Sequence, residues 1–420
     1  MRGAVGERLS RWLVPALIVA VTFAVAPGGE APFSGVKTGL LLAGSVVLLL
    51  QSVWMPAAGP AALAPRVLAG LWLGTLALSA LLGPAAVPGG MWLEAAAGLV
   101  VLALLQAPPP WAPVFRAIAG AGTGLALVAG LQALGADPFL WMGWAGAHPG
   151  ERMRIYGTLG NPDFVAAYLG ASLCVTVGEA VSAERTMVRR GWIAAAVLQL
   201  CALASTRSWG SLLALGAAAL SLLWSRAPTP KVGLEQGRRG RRWGFMLAAV
   251  AAGALLLLSA SGRSPSAALA GRRYLWGVAA PHVLDAPVFG HGPGSFEVLW
   301  PLWEAEYWSA REDSSEKERF AALQDHAHLD YLEWLLELGL VGTAPRLLLL
   351  LAALRAARQA PDARGRAALA ALVALAARAL VDFPLARPAE LCLFAVLLSV
   401  PVDSEYGTGP HQSGRRRGAA

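Results

Sequence analysis

The sequence predicts an all-α polytopic membrane protein with about twelve transmembrane helices and one large external loop. Three observations predict it. Of the 420 residues, 56% are hydrophobic and 14% are charged, with a mean hydropathy of +0.54; soluble domains carry about 25% charged residues. Apolar runs of spanning length recur along the chain. The basic residues are dense on one side of the membrane that those runs define and sparse on the other.

The first apolar run, 12–26, follows Arg2, Arg8 and Arg11. Its Ala24-Val25-Ala26 end has the small residues of a signal-peptide cleavage site, but Pro27 directly after it argues for an uncleaved first span. Runs 36–55, 66–83, 91–106 and 114–134 complete an N-terminal membrane segment, 1–134. Runs 164–182, 191–206, 208–224 and 243–260 belong to a core segment, 135–260. Residues 261–335 form the large loop, runs 336–356, 366–383 and 388–402 a C-terminal membrane segment, 336–402, and residues 403–420 a tail. With the N-terminus cytoplasmic, the arginine-bearing loops 183–190, 225–242 and 355–366 and the Arg415–Arg417 tail all fall inside. Both termini are then cytoplasmic and the large loop is external. The net charge of +8 and the pI near 9.9 report this topology, and no nucleic-acid partner is needed to explain them. Cys174, Cys201 and Cys392 lie within the runs, so no disulfide or metal framework is implied.

The polar residues collect outside. Under this topology His148, His282, His291, His326 and His328 are all external. His326 and His328 sit between Asp325 and Asp330 at the mouth of an apolar helix, where a histidine pair moves protons near neutral pH. The alternatives are a structural pair capping that helix and, less favoured, a metal site, for which only Asp325 and Asp330 are at hand as further ligands. Asp330, Glu333 and Glu337 share one helical face, and His326, four residues before Asp330, is expected to pair with it. Arg207, in STRSWG, lies in a tight external hairpin against the charge trend; it is either a headgroup-seeking side chain or part of a site. The large loop opens with Gly271-Arg272-Arg273-Tyr274. Its Gly290, Gly292 and Gly294 read as an ordinary turn, with a phosphate cradle the alternative. Trp300, Trp303, Tyr307 and Trp308 fit a helix lying on the membrane, aromatic face down. Arg378 and Asp382 are spaced to pair, and Arg346 has no partner that spacing identifies.

Five segments occur in order: RIYGTLGNPDFVAAYL, STRSWGSLLAL, GRRYLWGVAAPHVLDAPVFGHGPGSFEVLWP, HAHLDYLEWLLELGLVG and LVDFPL. Together, over about residues 150–400, they make the chain resemble the bacterial O-antigen ligase and polymerase superfamily, including the related protein O-oligosaccharyltransferases. The resemblance implies a GT-C-like helical scaffold in the bacterial inner membrane with its active site facing the periplasm. It implies transfer of a glycan from an undecaprenyl-diphosphate carrier to a hydroxyl on a lipid A-core, a growing polysaccharide or a protein. By the same resemblance the essential histidine is His328, followed by Gly339 and Gly342, and the hairpin arginine is Arg207. The arginine opening the large loop is Arg272, four residues before Trp276, and Arg154 precedes the turn that carries Asn161 and Pro162. Arg273, His326 and Asp330 complete the expected substrate-binding set. Two positions depart from the family pattern: Leu329 stands where the family usually has Asn, and Arg378 where it often has His.

The chemistry asks for these residue types independently. A lipid diphosphate leaving group gains charge as the anomeric C–O bond breaks, and Arg207, Arg272 and Arg154 can stabilise it bidentately. An acceptor hydroxyl is a poor nucleophile, and neutral His328 can take its proton. Direct displacement inverts the anomeric centre, and no acidic DxD-type motif points to a metal or other cofactor. A transporter or flippase for a polar lipid is the rival outside enzymes; it calls for polar or broken spans near the midplane, and the runs here are mostly Ala and Leu.

Overall fold

The computed structural model describes residues 2–27, 31–55, 62–141, 155–224, 265–311, 321–360 and 362–400. Arg154, His148, the loop 225–242, the apolar run 243–260 and the tail lie outside the described residues. The fold is all-helical, with no strand among the described residues. In chain order the helices are α1 (Arg2–Phe23), α2 (Gly35–Val53), α3 (Leu63–Leu82), α4 (Pro88–Gln106), α5 (Trp111–Ala133), α6 (Pro138–Trp141), α7 (Pro162–Ser182), α8 (Thr186–Thr206) and α9 (Trp209–Trp224). They continue as α10 (Pro265–Ala279), α11 (Ser295–Ser309), α12 (Asp330–Gln359), α13 (Ala363–Arg378) and α14 (Pro388–Leu398).

Seven of these, α2, α3, α4, α5, α7, α8 and α12, are long and apolar enough to cross a membrane, and α1, α9 and α14 contain shorter apolar stretches. The protein is therefore a multi-pass membrane protein. Two expected runs have other limits. The run placed at 336–356 belongs to a helix that starts at Asp330, whose N–H bonds the Ala379 carbonyl at 3.0 Å. The run placed at 366–383 ends at Arg378, because the chain turns there toward Pro384, which puts Asp382 and Phe383 in a turn.

α7 is the centre of one half of the bundle, packed against α5, α8, α9 and α13. It is rich in Ala, Gly, Ser and Thr, which lets neighbouring backbones approach closely where lipid gives no hydrophobic drive. Gln199 of α8 knits three helices: its Nε2 donates to Ala119 O at 3.2 Å, Thr123 Oγ1 at 3.1 Å and Thr176 Oγ1 at 2.8 Å. The charges of α7 lie at its ends. Glu179 meets Arg364 at 2.5 Å and Arg116 at 3.6 Å, and Asp163 lies about 24 Å away by helical rise. In the other half, α4 packs on α2 and α3, and α12 on α3. Arg346 has a partner after all: it holds Glu94 of α4 at 3.0 Å, donates to Gly342 O at 2.6 Å and lies 4.8 Å from the Trp72 ring. Sequence spacing missed this pair because 252 residues separate its members.

The large loop is a packed layer with its own core. Tyr274, Val278, Phe296, Trp300, Trp303 and Trp308 are buried together against Leu332 and Leu336 of α12. This corrects the expected membrane-lying helix: three of its tryptophans point into protein, with Trp300 fully buried. The glycine turn is also structural. Its amides are already committed, His291 N–H to Leu336 O at 2.8 Å and Gly292 N–H to Glu337 O at 2.9 Å, so it is no phosphate cradle. Gly290 and Gly292 have positive φ, and a Cβ on either would strike backbone.

Candidate functional site

Three local structures bring polar side chains to one end of the bundle. The first is the start of α7. Asn161 caps it by accepting the Asp163 N–H at 2.8 Å, and Pro162 occupies the first turn. This capping holds Asp163 at the helix mouth. The second is the α8–α9 hairpin, which closes at Arg207 in the left-handed conformation, φ 55°. The Arg207 side chain is exposed and has no hydrogen-bond partner among the described residues. Its neighbour Ser208 is buried and donates to Asp163 Oδ1 at 2.6 Å.

The third is the strap 321–329 that leads into α12. Two indoles of the packed loop layer hold it: Trp276 Nε1 donates to Ala327 O at 3.0 Å and Trp300 Nε1 to Ala322 O at 2.8 Å. Glu333 holds it from below, accepting the Ala327 N–H at 2.8 Å and facing His326 Nδ1 at 2.7 Å. His326 thus pairs with Glu333. The expected pairing with Asp330 is wrong, because Asp330 is buried and accepts the Leu385 N–H at 3.0 Å. His328 has φ 51°. Among the described residues, Arg207 and His328 are the two non-glycine residues with positive φ, a conformation that costs energy and gathers at functional sites.

Asp382 joins these pieces. His328 Nδ1 lies 3.1 Å from its Oδ1, and Arg378 bonds its Oδ2. Arg378, 1% exposed, also reaches Asp163 Oδ1 at 2.9 Å and Ser208 Oγ at 2.8 Å. One guanidinium therefore ties the turn after α13 to the start of α7 and to the hairpin beside Arg207. Gly210 is required there, since a Cβ would sit 2.1 Å from Arg378 Nη1. Burial pushes the Asp382 carboxyl up, but the charge of Arg378 outweighs it, and His328 and Arg272 add to that effect; its pKa is held well below the usual carboxylate range. Arg272 is half-buried with its Nε unpartnered, and Arg273 is exposed. Phe383 completes the site, stacked on the His326 ring at 4.4 Å and edge-on to His328 at 4.6 Å.

Residues 194–345 match the family model described as O-antigen ligase. The chain carries a domain of the O-antigen ligase superfamily. This is an O-antigen ligase-like glycosyltransferase family. The matched stretch includes Arg207, Arg272 and His328, whereas Asp163, Arg378 and Asp382, which link His328 to Ser208 beside Arg207, lie on either side of the match. No curated protein matches the chain. Asp163 and Ser208 were missed as site residues in the sequence, although each adjoins a residue singled out there; nothing in local spacing shows that Arg378 reaches both.

Proposed function

We propose that the protein transfers a glycan from an undecaprenyl-diphosphate carrier to an acceptor hydroxyl at the periplasmic face of the inner membrane. The observation that carries this reading is the His328–Asp382 contact. An ionised carboxylate only accepts hydrogen bonds, so Asp382 fixes the proton on Nδ1 and leaves Nε2 as the basic nitrogen. Nε2 has no partner among the described residues, and the side chain is 32% exposed, so it is available to an acceptor hydroxyl. His328 is the general base. Arg207 and Arg272, with Arg154, stabilise the diphosphate as it leaves, and a single displacement inverts the anomeric carbon. Metal independence follows from these cations supplying the charge. Within this reading Asn161 acts through its cap on α7, and His326 and Asp330 through the strap and the turn they hold.

Deleting the gene and examining lipopolysaccharide on a gel tests the acceptor. Loss of all chains on the core identifies a ligase, and loss of long chains with single capped repeats a polymerase. Unchanged lipopolysaccharide with altered glycoproteins moves the acceptor to protein, and no change in any glycan sinks the reading.

Two predictions accompany it. A cysteine at Leu323, 82% exposed, is expected to be labelled from the periplasm and one at Glu184 only after lysis, in a Cys201→Ala background; the reverse pattern overturns the orientation. Lysine at Arg207 or Arg272 is expected to lower transfer nearly as far as alanine, on the order of a hundredfold, because the planar fork is lost. Near-normal turnover of either lysine variant in a vesicle assay would remove that residue from the diphosphate site.

A further inference from the structure

A cavity of about 190 Å³ opens beside this cluster, between the start of α2, the turn before α7 and the start of α14. Phe33, Phe164, Lys37, Arg387 and Glu390 line it. Arg387 lies over Phe164 at 4.3 Å and over Phe383 at 4.6 Å, so the cavity is one aromatic ring away from the histidines. None of its lining residues falls within 194–345.

Two of its polar atoms lack hydrogen-bond partners. Glu390 is 1% exposed, and its Oε1 has no hydrogen-bond partner. Arg387 Nε is buried and also unpartnered. Lys37, 1% exposed, donates to Thr22 O at 2.9 Å and Ala24 O at 2.6 Å, which leaves one ammonium hydrogen. An orphaned acceptor and an orphaned donor in a bundle interior are costly, and a ligand that both donates and accepts relieves them. Charge narrows the class. Lys37 and Arg387 disfavour a cation, and an anion without a proton has no donor for the unpartnered Glu390 oxygen; a hydroxyl-bearing ligand supplies donor and acceptor together. Phe33 and Phe164 add apolar lining suited to the C–H side of a ring. The volume is below the roughly 300 Å³ at which pockets begin to hold drug-sized ligands, so one ring is the limit.

We propose that this cavity is a saccharide subsite holding one pyranose ring of the substrate beside the reacting group, with Glu390 accepting its hydroxyls and Arg387 and Lys37 donating to them. The proposal rests on the glycosyl-transfer reading for its ligand. The test is saturation-transfer NMR on the purified full-length protein in detergent, with the monosaccharides released by hydrolysis of the host's own envelope polysaccharide as probe. At least one sugar should bind the wild type and the His328→Ala variant alike. Ser34→Phe should remove the signal by filling the cavity; Ser34 makes no side-chain capping bond, so the change costs no cap. Glu390→Gln should weaken binding about tenfold or more and raise KM for the glycan substrate more than it lowers kcat. Only variants that elute as monodisperse protein are scored, and either variant alone suffices. No bound sugar in the wild type, or binding unchanged by the variant scored, overturns the subsite. Sugar binding that is lost with the variants, in a protein that transfers no glycan, supports the subsite and overturns the transfer reading.

Discussion

His328→Ala is expected to abolish glycan transfer, lowering turnover by about a hundredfold or more, while expression and donor binding persist. The loss follows from removing the basic Nε2 that the Asp382 contact leaves free. His326→Ala should cost less. Its ring bonds Glu333 and stacks on Phe383, so its removal loosens the strap and lowers stability or rate in part. Asp382→Asn tests the orienting contact: an amide can donate to Nδ1 and so place the proton on Nε2, the wrong nitrogen for a base. Its transfer should fall with His328 intact. A vesicle assay with lipid-linked donor separates the cases, and near-normal turnover of His328→Ala beside an inactive His326→Ala would move the base by two residues.

Arg378→Leu is expected to lower stability by about 3–5 kcal/mol, the usual loss when one partner of a buried ion pair is removed. Asp382 would then be a buried carboxylate with its main cation gone, and Asp163 and Ser208 would lose the group that gathers them. Lysine should rescue only in part, since a single ammonium lacks the fork that serves Asp382, Asp163 and Ser208 together. The pH dependence has a definite sign. The folded-state pKa of Asp382 is depressed, so its contribution is present above the unfolded value near ~3.9 and is lost as pH falls through the folded value. In Arg378→Leu the same carboxyl is buried without its main cation and becomes less destabilising once protonated. The gap in thermal stability between wild type and variant should therefore be widest near neutral pH and shrink on acidification. A gap that is small, or that widens in acid, removes Arg378 as the keystone of the cluster.

The matched family shows in the sequence because its motifs are local. GTLGNP is legible as a turn with a helix start: glycines with positive φ at 157 and 160, a capping Asn161 and Pro162 each leave their own mark. STRSWG is legible as a hairpin between apolar runs, and the pairing of Arg378 with Asp382 follows from helical spacing. The partners of Arg346 and His326 were not legible in this way. Glu94 lies on another helix, and Glu333 meets His326 because the strap is extended with a left-handed kink at His328, which breaks the helical register assumed for it.

Composition and basic-residue bias by themselves determined an all-helical membrane chain, since hydrocarbon demands long apolar helices regardless of how they pack. Motif order by itself singled out Arg207, Arg272 and His328, because each is set in a short segment. Only the tertiary structure decided that Asp382 meets His328, that Arg378 binds Asp382 to Asp163 and Ser208, and that one Glu390 oxygen lacks a hydrogen-bond partner beside a cavity. Those relations depend on which helix ends meet. Helix packing sets them across as many as 215 residues, through close contacts of small side chains that periodicity does not encode.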